Sequence, residues 1–411
     1  MEQRPCGLIG GSLGHSFSPQ LHGMLGDYSY RLWPLTAEEL PAFLEGRQFA
    51  GLNVTIPYKQ TVIPYCGELS HRARRIGSVN TLIPMPDGSL YGENTDYDGF
   101  AALADRAGID FKGRKVVILG SGGTSRTVRT VAEDRGASQV MVVSRKGPVT
   151  YEDLKGHQDA EILVNTTPVG MYPHNGELLV DPGDFPRCAG VLDVVYNPLK
   201  TAFILRAEEL GLPCAGGLLM LAAQAWRAAE LFTGKAIPWE KCEAAFRQLE
   251  RQRRNIVLVG MPGCGKTAVG QFLARQLGRP LVDTDQMVEQ KAGRSIPEIF
   301  GEEGEEGFRR RETEAIGEAG SHTGAVIAIG GGGLLREENG RALAQNGLLV
   351  FLRRPVELLA REGRPLSTGL ERLREMYQER LPVYERWAQL SVDNTGEVAD
   401  TAAAIIKEWE K

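Results

Sequence analysis

The chain has 411 residues, 42% of them hydrophobic and 24% charged, with a formal net charge of -5. Composition of this kind is typical of a folded protein, and one hydrophobic core seldom supports so long a chain, so we expect about two or three domains. The small negative charge gives no reason to expect a nucleic-acid partner, and no apolar run approaches bilayer length. The six cysteines show neither metal-ligand spacing nor a disulfide framework, which predicts reduced thiols and a cytoplasmic protein.

Strand-like and helix-like segments alternate along the chain. In residues 1–98 we predict strands at 8–10, 30–35, 51–56, 79–83 and 90–92, and helices at 18–25 and 37–44. Residues 115–212 alternate more regularly, with strands at 115–119, 140–144, 162–165 and 191–195 and a helix from Thr124. Two helices follow at 217–233 and 238–250, and an arginine-rich stretch then leads to a new strand at Asn255. Such alternation predicts parallel sheets with crossover helices.

A glycine-rich loop follows the predicted strand at 115–119 and precedes a helix. Its residues are Gly120, Ser121, Gly122, Gly123, Thr124 and Ser125. This context is the one in which a dinucleotide pyrophosphate meets backbone N–H groups at a helix N-terminus, although Ser125 replaces the usual third glycine. The next strand ends in Ser144, Arg145 and Lys146, where an NAD site would offer an acidic residue. Basic side chains suit a 2′-phosphate, so the sequence favours NADP(H) over NAD, unless these are two solvated loop charges.

A second phosphate-binding loop of different design lies at 260–267, after the strand that begins at Asn255. Its sequence GMPGCGKT matches the P-loop pattern in full, which predicts ATP as ligand. We expect Gly263, Cys264, Gly265 and Lys266 to surround the phosphates, and the Thr267 hydroxyl to bind Mg²⁺. One enzyme rarely needs both a dinucleotide and a nucleoside triphosphate, so the chain is interpreted as two enzymes joined end to end.

These loops complete the predicted architecture, which is α/β throughout. Residues 1–98 and 213–246 form a substrate domain, and residues 99–212 form a Rossmann-type NADP-binding domain. A linker at 247–254 then leads to a P-loop α/β/α domain at 255–411. The sequence carries no signal for an oligomeric state.

Polar motifs in the first half resemble those of shikimate dehydrogenase, in the same order, over nearly all of residues 5–245. They are SFS at 16–18, NVTIPYK at 53–59, SVNT at 78–81, NTD at 94–96, and the segments 165–171, 193–198 and 217–224. The resemblance implies that Lys59 and Asp96 form the catalytic pair. It also implies that the substrate is surrounded by Ser16, Ser18, Thr55, Asn80, Asn94, Tyr196 and Gln224.

The residue types agree with that chemistry. Reduction of a ketone by hydride needs a proton for the developing alkoxide, which a lysine oriented by a carboxylate can donate. The chain departs from the family pattern at Gly23, where Asn is usual, and at Tyr97, which interrupts NTDG. Neither change touches the proposed pair, but Tyr97 leaves the choice between shikimate and a relative such as quinate open.

The second half carries further residues in an order that resembles shikimate kinase across residues 255–395. The resemblance makes Asp283 a magnesium-side residue and Asp285 the group that holds and activates the acceptor hydroxyl. It also assigns Arg309 and Arg380 to the substrate carboxylate, for which a guanidinium fork is well shaped. Gly331 and Gly332 would let the backbone approach the bound acid. ATP would further be bound by Arg361 and Arg364, the latter from a lid that closes over the γ-phosphate.

The predicted lid departs from the family pattern. Only Glu362 and Gly363 separate Arg361 from Arg364, fewer residues than the family commonly shows, and Ser367 stands where a second leucine is usual. A short lid predicts weaker ATP binding or a wetter site that favours hydrolysis.

Together the two resemblances predict a fused enzyme that makes shikimate from 3-dehydroshikimate with NADPH and then phosphorylates it with ATP. Two alternatives stay open. The second half could be another small-molecule kinase, such as a gluconate or nucleoside monophosphate kinase. Alternatively, one half could be a non-catalytic nucleotide-binding module, against which the complete catalytic motifs argue.

Overall fold

The structure, a computed structural model, describes residues 4–14, 16–359 and 369–410. The chain divides into two compact units. The first comprises Met1–Asn197 and Arg206–Leu249, and the second comprises Pro198–Leu205 and Glu250–Lys411. No helix in the described ranges is long and apolar enough to cross a membrane.

The first unit begins with a six-stranded mixed sheet. Its strands are β1 (Cys6–Gly10), β2 (Tyr30–Pro34), β3 (Gly51–Val54), β4 (Glu68–Leu69), β5 (Thr81–Pro84) and β6 (Leu90–Glu93), and its helices are α1 (Ser18–Leu25), α2 (Leu40–Gly46) and α3 (His71–Ile76). The strand order is β2-β1-β3-β5-β6-β4, with β1 parallel to β2 and β3, and β5 antiparallel to both of its neighbours. Strands β3 and β6 thus run in the same direction on either side of β5. The residues that follow these two strands therefore lie at the same edge of the sheet.

A five-stranded parallel sheet forms the rest of the first unit. Its strands are β7 (Lys115–Leu119), β8 (Gln139–Val143), β9 (Ile162–Asn165), β10 (Gly190–Asp193) and β11 (Cys214–Ala215), in the order β11-β10-β9-β7-β8. The helices in this part of the chain are α4 (Asp96–Arg106), α5 (Gly123–Asp134), α6 (Ala202–Glu209), α7 (Leu218–Thr233) and α8 (Trp239–Arg253). Since the chain leaves β7 toward β8 on one side and later returns to β9 on the other, the carboxyl end of β7 is a topological switch point. Ligands of open α/β sheets bind at such points.

The second unit contains another five-stranded parallel sheet. Its strands are β12 (Asn255–Val259), β13 (Leu281–Asp283), β14 (Val326–Ala328), β15 (Gly347–Arg353) and β16 (Leu390–Asp393), in the order β13-β14-β12-β15-β16. Its helices are α9 (Lys266–Leu277), α10 (Thr284–Ala292), α11 (Ile296–Ser321), α12 (Glu337–Ala344), α13 (Leu370–Trp387) and α14 (Val398–Trp409). The central strand β12 is buried along its whole length, as expected for a parallel sheet covered on both faces.

Short 3₁₀ helices connect some of these elements. They lie at Ile63–Tyr65, Glu152–Gly156, Pro182–Asp184, Gly333–Leu335 and Val356–Leu358.

The stretch expected to be a linker is mostly helical. Helix α8 continues to Arg253, so that Arg254 alone separates it from β12. Apolar residues along α8 explain the extension, because Cys242, Ala245 and Leu249 are buried at helical spacing and hold the helix along its length.

Candidate active sites

The first candidate site is built around an ion pair at the edge of the mixed sheet. Lys59 lies beyond the end of β3, and Asp96 is the first residue of α4, where the helix dipole favours a carboxylate. Lys59 Nζ donates to Asp96 Oδ2 at 2.6 Å, and the two side chains are 23% and 12% exposed. Asn80 Nδ2 donates to the other carboxylate oxygen at 2.9 Å. The Lys59 ammonium is therefore partly exposed, so a ligand can reach it, while its contact with Asp96 fixes its position.

A cavity of about 430 Å³ opens over this pair. The predicted residues that line it are Ser16, Ser18, Thr55, Lys59, Asn80, Asp96, Tyr196 and Gln224. Asn94 is not among them, because its side chain is fully buried and Nδ2 donates to Ser78 O at 2.9 Å. Asn53 lines the cavity although it was not predicted as a site residue, and Thr124 faces this cavity rather than the dinucleotide loop's cavity. The hydroxyl, amide, ammonium and carboxylate groups suit a small polyhydroxylated acid.

The glycine-rich loop lies at the switch point of the parallel sheet. Gly120 has a φ of +103°, and a Cβ there would lie 2.6 Å from Thr167 Cγ2, so the turn requires glycine. Helix α5 begins at Gly123, which directs unpaired backbone N–H groups outward. Ser125 is buried, and its Oγ donates to Gly122 O at 2.6 Å. The serine that replaces the third glycine therefore braces the loop and leaves its outer surface open.

A second cavity, of about 1420 Å³, lies against this loop. The predicted cofactor residues along it are Gly120, Ser121, Gly122, Ser125, Ser144, Arg145 and Lys146. Arg126 and Arg129 line it as well and add positive charge that the sequence prediction did not include. A glycine turn, a helix N-terminus and several cations are the groups that a phosphorylated dinucleotide needs, so these residues fit NADP(H).

The second unit carries the P-loop between β12 and α9. Positive φ angles at Gly260, Gly263 and Gly265 (+142°, +81° and +98°) bend the backbone into the loop. Lys266 is buried, and its Nζ donates to Gly260 O at 2.9 Å and to Met261 O at 3.0 Å. The ammonium is thus held over the loop, where it can meet phosphate oxygens.

Two side chains from outside the P-loop, those of Asn394 and Asp283, form hydrogen bonds with it. Asn394 Nδ2 donates to Cys264 O at 2.6 Å, a support that the motif itself does not predict. On the opposite side, Thr267 Oγ1 donates to Asp283 Oδ2 at 3.0 Å. Asp283 Oδ1 accepts from the backbone N–H of Asp285 at 3.1 Å and caps α10. The adjacent hydroxyl and carboxylate oxygens are the hard ligands that Mg²⁺ prefers.

Asp285 lines a cavity of about 390 Å³ in the second unit. Burial raises the pKa of its carboxyl to about 6, and the nearby carboxylates of Asp283 and Glu312 raise it further. A carboxylate of raised basicity beside a phosphate-binding lysine can accept a proton from an acceptor hydroxyl. In the described part of the chain, no group of three or more His, Cys, Asp or Glu side chains could hold a metal ion alone. Mg²⁺ in kinases usually keeps several waters and uses one or two carboxylates with the phosphates, so one side chain pair suffices.

Arginines form the far wall of this cavity. Arg309 Nη1 donates to Glu312 Oε2 at 2.6 Å, and Arg380 lies buried on α13. A Cβ on Gly332 would meet the Arg309 guanidinium, so glycine at this position leaves room for that side chain. Gly331 is fixed by Tyr384, whose hydroxyl donates to its carbonyl oxygen. The sequence analysis missed Glu312, whose position one helical turn after Arg309 is the signal that could have identified it.

The predicted lid residues Arg361 and Arg364, and Ser367 with them, lie outside the described residues.

The folds and sites define two classes of enzyme in one chain. The first unit has a dinucleotide-binding sheet next to a Lys–Asp pair, which is typical of a dehydrogenase. The second has a P-loop, a hydroxyl–carboxylate pair and a basic acceptor wall, which is typical of a small-molecule kinase.

Comparison with known proteins identifies both. Residues 8–82 match the family model of the shikimate dehydrogenase substrate binding domain, and residues 262–410 match that of shikimate kinase. The shikimate dehydrogenase (NADP(+)) of Clostridium perfringens strain SM101 is 34% identical over 265 residues, covering 59% of this chain and 97% of the relative. The chain belongs to the shikimate dehydrogenase family and carries a shikimate kinase domain after it. It is a bifunctional enzyme of the shikimate pathway that uses NADP and ATP.

Solved structures agree over the first unit. A chorismate mutase/shikimate 5-dehydrogenase fusion protein from Clostridium acetobutylicum is 33% identical, with a TM-score of 0.58 over 61% of this chain and 98% of that one. Quinate dehydrogenase from Corynebacterium glutamicum in complex with NAD is 27% identical, with a TM-score of 0.54 over 59% and 98%. The fold of the first unit is therefore shared by dehydrogenases whose names give different substrates and cofactors.

Proposed function

We propose that the first unit, here the dehydrogenase unit, reduces 3-dehydroshikimate to shikimate with NADPH. The second, here the kinase unit, then transfers the γ-phosphoryl group of ATP to shikimate, giving shikimate 3-phosphate. The observation that carries the first assignment is the 2.6 Å contact of Lys59 with Asp96 inside a cavity lined by hydroxyl and amide groups. The product of the first reaction is the substrate of the second.

In the dehydrogenase unit, Lys59 would donate a proton to the oxygen that becomes negative as the ketone is reduced. Asp96 would hold the ammonium in position and accept a hydrogen bond from a substrate hydroxyl. Bound NADPH would supply the hydride, and Arg145 and Lys146 would hold its 2′-phosphate. Ser16 and Ser18, which also line the cavity, would bind the substrate carboxylate through their hydroxyls.

In the kinase unit, positioning and charge neutralisation would do most of the work. Lys266 would release the backbone oxygens it now contacts and bind phosphate oxygens instead. Thr267 and Asp283 would hold Mg²⁺ when the ion is bound, and the ion would neutralise phosphate charge. Asp285 would orient the acceptor hydroxyl and take its proton. Arg309 and Arg380 would pair with the acid's carboxylate.

We further propose the domain boundaries and location expected from the sequence. The substrate domain would comprise residues 1–98 and 213–246, the NADP domain 99–212, and the kinase domain 255–411, with 247–254 between them. The free thiols of all six cysteines support a cytoplasmic location.

Quinate stays a second candidate for the dehydrogenase unit. Tyr97 stands directly after Asp96, where its hydroxyl donates to Asp134 Oδ2 at 3.1 Å and its ring packs under the Arg72 guanidinium at 4.1 Å. Both partners of the Tyr97 side chain lie outside the substrate cavity and hold the ring away from it. Tyr97 therefore leaves the shape of the cavity unaltered, which favours shikimate as the substrate.

A substrate panel tests both halves. We expect NADP⁺ reduction with shikimate at a kcat/KM at least about tenfold above that with quinate. We expect ADP formation with shikimate but not with gluconate or a nucleoside monophosphate. A preference for quinate would overturn the first assignment, and turnover of one of the other acceptors in place of shikimate would overturn the second.

A further inference from the structure

A chain of hydrogen bonds runs from Tyr30 through the wall of the dehydrogenase unit's cavity and ends at the carboxylate of Asp96. Tyr30 OH donates to Asn53 Oδ1 at 2.8 Å, and Asn53 Nδ2 donates to Thr81 Oγ1 at 3.2 Å. Thr81 Oγ1 donates to Asn80 Oδ1 at 3.1 Å, and Asn80 Nδ2 donates to Asp96 Oδ1 at 2.9 Å. Each of these four contacts leads one step closer to Asp96, and Thr95 Oγ1, which lies 3.3 Å from Thr81 Oγ1, also donates to Asn80 Oδ1 at 3.2 Å.

The direction of the chain is fixed at its Asp96 end. An ionised carboxylate only accepts, so Asn80 must present its amide nitrogen to Asp96. The backbone N–H of Thr95 donates to Asn80 Oδ1 at 2.7 Å, which requires the amide oxygen on that side. Asn80 Nδ2 also donates to Thr95 Oγ1 at 3.1 Å, so both of its hydrogens are used within the protein. The Asn80 amide therefore has one permitted orientation.

The other end is equally determined. Asn53 Nδ2 also reaches Asn80 O at 3.5 Å, which leaves Asn53 Oδ1 as the acceptor for the Tyr30 hydroxyl. Burial raises the pKa of Tyr30 well above its usual value, so the phenol stays protonated and keeps its donor role. The His22 ring stacks on Tyr30 with centroids 4.1 Å apart and holds the phenol ring in place. The chain therefore starts from a protonated phenol whose ring is held by stacking on His22.

The hydrogen bonds of this chain are strong because its members are buried. Asn53, Asn80 and Thr81 are buried, and Thr81 is 0% exposed and does not line the cavity. In a low-dielectric interior each hydrogen bond is stronger than in water, successive donors polarise one another, and an unpaired member is costly. Loss of the Thr81 hydroxyl would leave Asn53 Nδ2 without its 3.2 Å partner and Asn80 Oδ1 with one donor fewer, which would loosen the amide that holds Asp96 and hence Lys59.

We propose that Tyr30 and Thr81 are positioning residues of the dehydrogenase reaction, which act through Asn53 and Asn80 to fix Asp96 and hence the Lys59 ammonium. This inference deepens the proposed function and rests on Lys59 and Asp96 being the catalytic pair. A misplacement of about 1 Å at reacting groups can lower a rate about a hundredfold, so two missing links far from the substrate have a measurable effect.

The test compares matched variants of the full chain in shikimate-dependent NADP⁺ reduction. Thr81→Val removes the hydroxyl at nearly constant volume, whereas Thr81→Ser keeps it. Tyr30→Phe removes the first donor. Tyr58→Phe is the control, because its buried hydroxyl donates to Leu35 O at 2.6 Å and takes no part in the chain. Binding of NADPH by each variant shows that the dehydrogenase unit is folded.

We expect Thr81→Val and Tyr30→Phe to lower kcat about tenfold while the KM for shikimate stays within about twofold. Thr81→Ser and Tyr58→Phe should keep kcat near that of the wild type. Unchanged kcat in Thr81→Val and Tyr30→Phe would overturn the inference, and so would equal losses in all four variants, which indicate a general structural effect. If Thr81→Val does not bind NADPH, the comparison of kcat between Tyr30→Phe and Tyr58→Phe decides whether the inference holds. A wild type without turnover, or a fully active Lys59→Ala, would instead overturn the proposed function.

Discussion

Arg309 and Glu312 form a buried ion pair in the kinase cavity, with Arg309 Nη1 2.6 Å from Glu312 Oε2 and side chains 10% and 2% exposed. The carboxylate holds one edge of the planar guanidinium. The other nitrogen contacts Glu305 at 3.2 Å, and this carboxylate is exposed on the same helix. If Arg309 binds the substrate carboxylate as proposed, that carboxylate would displace the solvated Glu305 rather than the buried Glu312, and Glu312 would orient the guanidinium that the substrate meets.

Arg309→Lys should raise the KM for shikimate in the kinase reaction about tenfold or more, because an ammonium cannot reproduce a two-pronged contact. The KM for ATP should stay close to that of the wild type, as should the dehydrogenase activity. Arg310→Lys, on the same helix with a side chain 64% exposed, is the matched control. Equal effects of the two substitutions would argue against a specific contact between Arg309 and the acid.

Replacing Arg145 and Lys146 together by alanine should raise the KM for NADP⁺ by about tenfold or more. The physical reason is the loss of two cations beside the 2′-phosphate, each contributing a charge-assisted contact. Initial rates with NADP⁺ and with NAD⁺ measure the effect, and NAD⁺ serves as the internal control because it lacks that phosphate. An equal loss with both cofactors would show that the substitutions damage the loop rather than its selectivity.

Removal of Mg²⁺ with EDTA should abolish ADP formation and leave NADP⁺ reduction unchanged in the same sample. Thr267 and Asp283 lie 3.0 Å apart and would share the ion with the phosphates. Asp283→Asn should therefore raise the Mg²⁺ concentration needed for half-maximal kinase activity. Full kinase activity in EDTA would contradict the proposed role of this pair.

The buried imidazole of His22 should make the free energy of unfolding depend on pH. Burial lowers the pKa of its imidazole to about 3, whereas in an unfolded chain it titrates near 6.5. Below about pH 6.5 the unfolded chain thus binds a proton that the folded protein does not. Stability present above that pH is lost as the pH falls toward 3, by up to about 1.4 kcal/mol per pH unit.

His22→Phe keeps a ring to stack on Tyr30 and removes the titration. The variant should lose less stability than the wild type between pH 6 and pH 4, measured as the free energy of urea unfolding at several pH values. The Tyr28 hydroxyl, 2.6 Å from His22 Nδ1, loses its partner in the variant, which adds an offset that does not vary with pH. Parallel pH profiles for the two proteins would contradict a depressed pKa.

Much of this architecture could be predicted because local patterns were strong. The apolar runs before Gly120 and Gly260 are strands with mostly buried residues, and positive φ angles occur at Gly120, Gly260, Gly263 and Gly265, where L side chains are disfavoured. Most of the predicted loop residues line the cavity beside their loop, whereas Gly123, Thr124 and Cys264 do not. What spacing could not give was the direction of individual side chains.

Three residues show this limit. Asn94 belongs to a polar motif, yet its side chain, directly after β6, points into the interior toward Ser78. Thr124 belongs to the dinucleotide loop but faces the substrate cavity. Glu312 becomes a site residue only because α11 packs its inner face against the glycine loop after β14. Tertiary packing determines the direction of each of these three side chains, and the periodicity of a single sequence does not encode that packing.

The most direct test assays one purified sample for both activities and compares it with two single variants. The wild type should reduce NADP⁺ in the presence of shikimate and should form ADP from ATP only when shikimate is added. Lys59→Ala should abolish the first activity alone, and Lys266→Ala the second alone, while Lys112→Ala, an exposed lysine, should change neither. Loss of both activities in either variant, or the absence of one activity from the wild type, would contradict the account of two independent active sites in one chain.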